Sequence, residues 1–283
     1  MNARAEVFEV GPRDGLQNEK AMIPTDAKVA LVNQLSACGF RRIEVASFVS
    51  PKWVPQMADS ADVLAQIDRV TGCSYAALTP NMRGFDGAVA AKADEIAIFA
   101  SASEGFSQAN INCSIEESIQ RFEDVIAAAK QADIPVRGYI SCVTDCPYDG
   151  PTAPVRVAEV AAKLNALGCY EISLGDTIGQ GTPKTISAML NAVLSEVPVQ
   201  KLAGHYHDTA NRALDNIRAS LDLGVRVFDA SVGGLGGCPY APGASGNVAS
   251  EAVVALLHNA GFETGVDLAA LEQVATFAKT LRS

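Results

Sequence analysis

Residues 201–210 read Lys201-Leu-Ala-Gly-His-Tyr-His-Asp-Thr-Ala210. The stretch from Lys201 to Asp208 reads as a β-strand, and in a strand side chains alternate between two faces with period two. His205 and His207 then project to one face, where a pair of imidazoles can hold a single metal ion. The chain contains only three histidines, and two of them stand here. A His-x-His pair is equally at home on a polar surface, so its meaning depends on what the rest of the chain brings to it.

Read outward from this strand, the sequence alternates strand with helix. Apolar, strand-like segments cover 6–10, 42–46, 74–78, 95–100, 136–141, 170–174, 201–206 and 226–231. Helix signals fall between them. Pro24, Thr25 and Asp26 open a segment that ends before Gly39. Ser114 and Glu117 form a capping box. Pro154 and Thr182-Pro183 begin further helices, and Gly168 and Gly224 lie just past helix ends, where a left-handed residue is wanted.

Eight such units predict an α/β chain folded as a (β/α)₈ TIM barrel. The strands are short, near-continuous apolar runs, as in a parallel sheet covered by helices. The open doubly wound sheet is the structural rival, but no G-x-G-x-x-G follows the first strand. Residues 268–281 read as an extra C-terminal helix with Asp267 as N-cap. Residues 1–283 are therefore expected to form a single barrel domain.

Composition narrows the function. Hydrophobic residues make up 48% of the chain and charged residues 19%, enough for a large core, and the net charge is −10. No basic stripe marks a nucleic-acid surface. No apolar run is long enough to span a membrane. The N-terminal MNARAEVFEV lacks the apolar region of a signal peptide, so a cytoplasmic enzyme is expected. Seven scattered cysteines form no disulfide framework, and most read as small core residues. An anionic substrate would need local cations, such as a metal and a buried arginine.

Catalytic groups of such a barrel sit where strands end and the following loops begin. Arg13 and Asp14 follow the first strand. Glu44 lies on the second, with Lys52 after it. Asp176 ends the sixth, and His205 and His207 lie on the seventh. A Gly-rich stretch with Cys238 and Asn247 follows the eighth. Asp14, His205, His207 and Asn247 offer two nitrogens and two oxygens, a donor set suited to Mg²⁺ or Mn²⁺ and open to zinc. Taken singly, Asp14 reads as a turn residue and Asn247 as the N-cap of the last barrel helix.

Arg13 is expected either to pair with Asp14 or Glu44 or to donate to a developing enolate oxygen. Cys238 sits in a long Gly-rich loop, where a thiol can deliver or accept a proton once the loop closes. The loop GGLGGCPYAPGASGN has no Walker lysine, which argues against phosphate binding. Lys20, Lys52 and Arg137 would neutralise phosphates or a substrate carboxylate if they lie near the barrel mouth.

At Gly11-Pro-Arg-Asp-Gly-Leu-Gln17 the chain resembles the DRE-TIM metallolyases, and among them the 3-hydroxy-3-methylglutaryl-CoA (HMG-CoA) lyases. EVGPRDGLQNEK, RRIEVASFVSPKWVPQMADS, GYISCVTDCPYDG, EISLGDTIGQGTP, GHYHDTANRALDNI and VGGLGGCPYAPGASGNVASE carry the likeness. The resemblance implies a divalent cation on Asp14, His205, His207 and Asn247. It implies that Arg13 and Cys238 are essential for chemistry. The chemistry of such a cleavage gives Asp14 and His205 the place of proton acceptor, and the positions at the strand ends make Arg13, Lys20, Glu44, Lys52, Arg137 and Asp176 the expected substrate contacts. Cleavage of HMG-CoA to acetyl-CoA and acetoacetate, a homodimer and a place in leucine breakdown are further implications. The absence of a transit segment and of a terminal SKL points to a bacterial-type, cytoplasmic member.

The nearest rival is a Claisen- or aldol-type member of the same superfamily. Such synthases carry a Glu-Arg-Ala-Gly-Asn style loop and extra C-terminal domains, whereas Cys238 stands in the loop here. A non-catalytic ligand-binding barrel is the rival from another class.

Overall fold

A computed structural model describes residues 3–236 and 246–282. Eight parallel strands close into a barrel. The chain runs β1 (Glu6–Glu9), α1 (Thr25–Ala37), β2 (Arg42–Ser47), α2 (Ser60–Gln66), β3 (Ser74–Leu78), α3 (Met82–Ala90) and β4 (Glu95–Ser101). It continues through α4 (Glu104–Ile111), α5 (Ile115–Gln131) and β5 (Val136–Ser141), then a small hairpin of β6 (Asp145–Cys146) and β7 (Gly150–Pro151). The rest is α6 (Pro154–Leu167), β8 (Glu171–Asp176), α7 (Pro183–Val193), β9 (Leu202–Tyr206), α8 (Ala213–Asp222), β10 (Val227–Ala230), α9 (Ser250–Asn259) and α10 (Leu268–Thr280). The closed order is β1-β10-β9-β8-β5-β4-β3-β2, so all eight expected strands enter one barrel.

The helix boundaries follow from local chemistry. Ser114 Oγ accepts the Glu117 N–H while the Glu117 carboxylate accepts the Ser114 N–H, which completes the capping box of α5. Thr182 and Thr185 do the same for α7. Gly168 closes α6 at φ 111°, a backbone angle that carries a steric cost for any residue with a Cβ. Asp267 accepts the N–H groups of Ala269 and Ala270 to start α10. Leu271, Val274, Ala275 and Ala278 of α10 are buried where it packs on α1 and α9. The expected extra helix thus completes the outer shell.

The main apolar core lies between strands and helices. The inside of the barrel is different: among the described residues it holds two small apolar clusters, one around Phe8, Val10 and Ala76 and one around Leu78, Ala97 and Tyr139. Charged chords cross the rest. Arg42 on β2 reaches Glu171 on β8 at 2.9 Å. Arg137 on β5 holds Glu171 at 2.7 Å and grips Asp229 on β10 through two nitrogens, at 2.7 and 3.0 Å. Arg137 and Glu171 face each other on the adjacent strands β5 and β8, whereas Arg42 and Glu171, and Arg137 and Asp229, lie on strands that are not neighbours, so those two contacts run through the interior. Each arginine is paired and hydrogen-bonded, as a buried charge requires. The column is a rigid floor beneath the C-terminal mouth.

Candidate metal centre

The peptide after β1 turns back on itself in a single π-helical turn, Gly11–Gly15. Leu16 N–H donates to Gly11 O at 3.0 Å and Gly15 N–H to Val10 O at 3.2 Å. Such single π turns recur at functional sites because they re-aim side chains. This one presses against the end of β10. A Cβ on Gly15 would stand 2.6 Å from Ser231 Oγ and 2.7 Å from Leu235 Cβ, so no larger residue fits. Glu9 pins the same junction, accepting the N–H groups of Gly11 (2.8 Å) and Val232 (2.9 Å) and the Ser250 hydroxyl.

The turn brings Arg13 and Asp14 over the mouth. Asp14, His205 and His207 each offer a ligand atom, and these atoms all lie within 4.8 Å of one another. His205 ends β9 one residue from its last position and His207 follows the strand, so the period-two expectation holds. Asn247 joins them, its backbone bridging to His207 and its amide nitrogen donating to Asp14 Oδ2 at 2.8 Å. With the amide nitrogen so engaged, the amide oxygen is the donor that Asn247 could offer a cation. Asn247 is not the cap of the last barrel helix, since α9 begins after Ala249.

Electrostatics fits these groups for a cation. Burial alone would raise the Asp14 carboxyl, but Arg13 and the two histidines hold it down to about 2, so it is a carboxylate at neutral pH. Burial and the neighbouring His205 push His207 down to about 4, which leaves its imidazole neutral at neutral pH, the form that can bind a cation. The buried His207 Nδ1 has no hydrogen-bond partner, a position a metal would satisfy. His205 Nδ1 lies 3.1 Å from Asp229 Oδ2. That contact fixes the tautomer and leaves Nε2 to ligate, the usual arrangement of a metal-bound histidine.

Arg13 answers both of its expected pairings at once. Its Nε donates to Glu44 Oε2 and its Nη1 to Asp14 Oδ1, each at 2.6 Å, and Nη2 also meets Glu44. A guanidinium has five N–H donors, so some remain for a substrate oxygen. Glu44 is wholly buried, its carboxyl is raised by burial, and its Oε1 has no partner.

The other sequence candidates are spread more widely. Lys20 and Lys52 are exposed, in the β1–α1 and β2–α2 connections. Arg137 is not a mouth cation, because it is buried below His205 with its nitrogens committed to Glu171 and Asp229. Asp176 turns away from the mouth. Its oxygens accept the Thr144 hydroxyl and the Gly181 N–H, both at 2.9 Å, so it braces two neighbouring loops. Cys238 lies outside the described residues. Those six cysteines that are described are free thiols, five of them buried.

Three residues of the site escaped the sequence reading. Asp229 orients His205 and is itself held far below the usual carboxylate range by Arg137, against the effect of burial. Ser173 donates to the same Asp229 oxygen at 2.7 Å. Tyr139 sets its ring edge-to-face with His205, under Arg13 and Arg137. Its buried hydroxyl has no partner. The available signal was the alternation Arg137, Tyr139 and Val227, Asp229 on strands called apolar.

The HMGL-like family model matches residues 4–278. The mitochondrial hydroxymethylglutaryl-CoA lyase of Gallus gallus is 58% identical over 97% of this chain and 92% of its own length. The cytoplasmic 3-hydroxy-3-methylglutaryl-CoA lyase of Mus musculus is 57% identical over 93% of this chain and 77% of its own. The crystal structure of the HMG-CoA lyase from Brucella melitensis superposes with a TM-score of 0.98, at 61% identity and 99% coverage of both chains.

Proposed function

The chain belongs to the HMGL-like family, and from that premise we propose that it cleaves HMG-CoA to acetyl-CoA and acetoacetate. It is a carbon–carbon lyase. The observation that carries the reading is the convergence of Asp14, His205 and His207 beside the buried Arg13 at the barrel mouth.

The reaction breaks the C2–C3 bond of a tertiary alcohol. The hydroxyl proton leaves, the C3 oxygen becomes the ketone of acetoacetate, and the bonding pair moves to the thioester as the enolate of acetyl-CoA. A second proton then reaches C2. Asp14, His205, His207 and Asn247 would hold a divalent cation, Mg²⁺ or Mn²⁺. When bound, it supplies Lewis acidity to the hydroxyl and carboxylate oxygens of the substrate.

The chain's own groups do the rest. Arg13, held by Glu44, donates to the thioester oxygen where negative charge grows, and a donor already in place costs no reorganisation. Asp14 and His205 are the proton acceptors within reach of the hydroxyl. Cys238 is the donor proposed for C2. Tyr139 and Asp229 keep Arg13 and His205 in position from below. Lys20 and Lys52 offer positive charge to the CoA phosphates on an otherwise acidic protein.

No helix among the described residues is long and apolar enough to cross a membrane. A cytoplasmic homodimer acting on a small-molecule thioester, with the whole chain serving as one barrel domain and no nucleic-acid partner, completes the reading. The test is product identity: purified protein, HMG-CoA and Mg²⁺ should release acetoacetate. Consumption of acetyl-CoA together with a ketoacid, and no acetoacetate, would favour the condensing rival instead.

A further inference from the structure

Opposite the mouth, where the strands begin, lies a cavity of about 490 Å³. That is within the range of roughly 300–1,000 Å³ common for small-molecule sites. It is walled by the residues leading into β1, by Arg41 before β2, by Arg226 before β10 and by the α9–α10 connection.

The walls are tied together through the backbone. Glu263 N–H donates to Ala3 O at 3.0 Å, Ala5 N–H to Glu263 O at 3.2 Å and Glu6 N–H to Arg226 O at 2.7 Å. On the other side, Asp267 N–H donates to Cys38 O at 2.9 Å. Gly39, at φ 95°, packs so tightly there that a Cβ would stand 2.4 Å from Gly265 O. His258 Nε2 and Thr264 Oγ1 meet at 2.8 Å and brace the α9–α10 connection itself. The cavity is therefore set before any ligand arrives, which lowers the ordering cost of binding.

On a chain of net charge −10, this cavity gathers guanidiniums. Arg4, Arg41 and Arg226 all line it. Among the described residues the side chains of Arg4 and Arg41 have no hydrogen bond or ion pair. Arg226 lies 4.9 Å over the Phe262 ring and spends Nη1 on Leu221 O and Val225 O, both at 2.8 Å, which leaves its Nε and Nη2 donors for a ligand. Of the two carboxylates in the lining, Glu6 is committed to Arg42 at 2.6 Å. Three cations thus face one uncommitted carboxylate, Glu263.

A cleft lined mainly by one sign of charge concentrates ions of the other. A guanidinium offers paired N–H donors that match two oxygens of a phosphate or a carboxylate. Ala5, Val227 and Phe262 add apolar wall for a short organic body. We propose that the closed end of the barrel binds a small organic oxyanion, a phosphate ester or a carboxylate, on Arg4, Arg41 and Arg226. The site is separate from the metal centre, and it stands whether or not the chain cleaves HMG-CoA.

Two measurements test it. Titration calorimetry of Mg²⁺-loaded protein with inorganic phosphate, and separately with succinate, should show saturable binding of one probe or both. Arg41→Ala should weaken that binding roughly tenfold or more, the size of one lost charged hydrogen bond, with Arg41→Lys between it and wild type. Both variants should fold, since the Arg41 side chain is exposed and holds no other part of the chain. In ¹H–¹⁵N spectra the same probe should shift the amides of Ala5, Arg41, Val227 and Gly265 and leave those of Asp14 and His207 in place. A response to phosphate alone makes the ligand a phosphate ester, one to succinate alone a carboxylate, and one to both an oxyanion of either kind. No saturable binding of either probe, binding that Arg41→Ala leaves unaltered, or shifts confined to the mouth would overturn the proposal.

Discussion

His205 Nδ1 meets Asp229 Oδ2 at 3.1 Å, and Arg137 grips the same carboxylate from below through two nitrogens. The orientation of one proposed ligand, His205, is thus set by a charge chain that crosses the barrel. Asp229→Asn keeps the shape of the side chain and removes the charge. Affinity for Mn²⁺, measured by titration of stripped protein, should fall about 10- to 100-fold, while the far-UV circular dichroism stays that of wild type. Unchanged affinity would show that His205 needs no such support.

Arg13→Lys keeps a positive charge but loses the planar fork that spans Glu44 and Asp14. The loss should fall on kcat, roughly 10²-fold by analogy with a lost oxyanion donor. Steady-state kinetics decides it, since a change confined to KM would make Arg13 a ground-state binding group.

Glu9 makes the stability of the fold depend on pH. Burial raises its carboxyl from 4.5 to about 7, against the hydrogen bonds from Ser250, Val232 and Gly11. The folded state therefore favours the protonated form. Its stabilising contribution is full below the unfolded value and is lost as pH rises through about 7. Glu9→Gln is neutral throughout. Its urea midpoint relative to wild type should therefore climb as pH is raised from about 5 to about 8. A pH-independent difference would mean that Glu9 titrates normally.

Cys238→Ser should lower kcat strongly and leave Mn²⁺ affinity unchanged, because the thiol is proposed as a proton donor and not as a ligand. Paired titration and rate measurements on one preparation check both halves. Near-normal kcat would remove Cys238 from the chemistry.

Much of this architecture was legible in the sequence because its signals are local. Capping at Ser114 and Thr182, the left-handed Gly168 and the period-two placement of His205 and His207 each need only a few neighbouring residues. The interior was harder to read. In a parallel barrel both faces of a strand are buried, so alternation cannot say which face looks inward and which meets the helices. Sequence alone therefore leaves open whether Arg137 lies near the mouth, and its partners on β8 and β10 place it below. Asp229 and Tyr139 were passed over inside apolar runs for the same reason. Asn247 became a ligand candidate beyond its helix-cap reading only in company, since nothing nearby in sequence reveals its contact with Asp14, 233 positions away.

Cleavage of HMG-CoA is proposed to require one divalent cation on Asp14, His205 and His207. The direct measurement is acetoacetate release by chelator-stripped protein before and after Mg²⁺ is restored, alongside folded His205→Ala and His207→Ala. Stripped wild type should release none, Mg²⁺ or Mn²⁺ should restore release, and neither variant should recover more than a little. Full release after rigorous stripping, or from the histidine variants, would rule out the cation requirement.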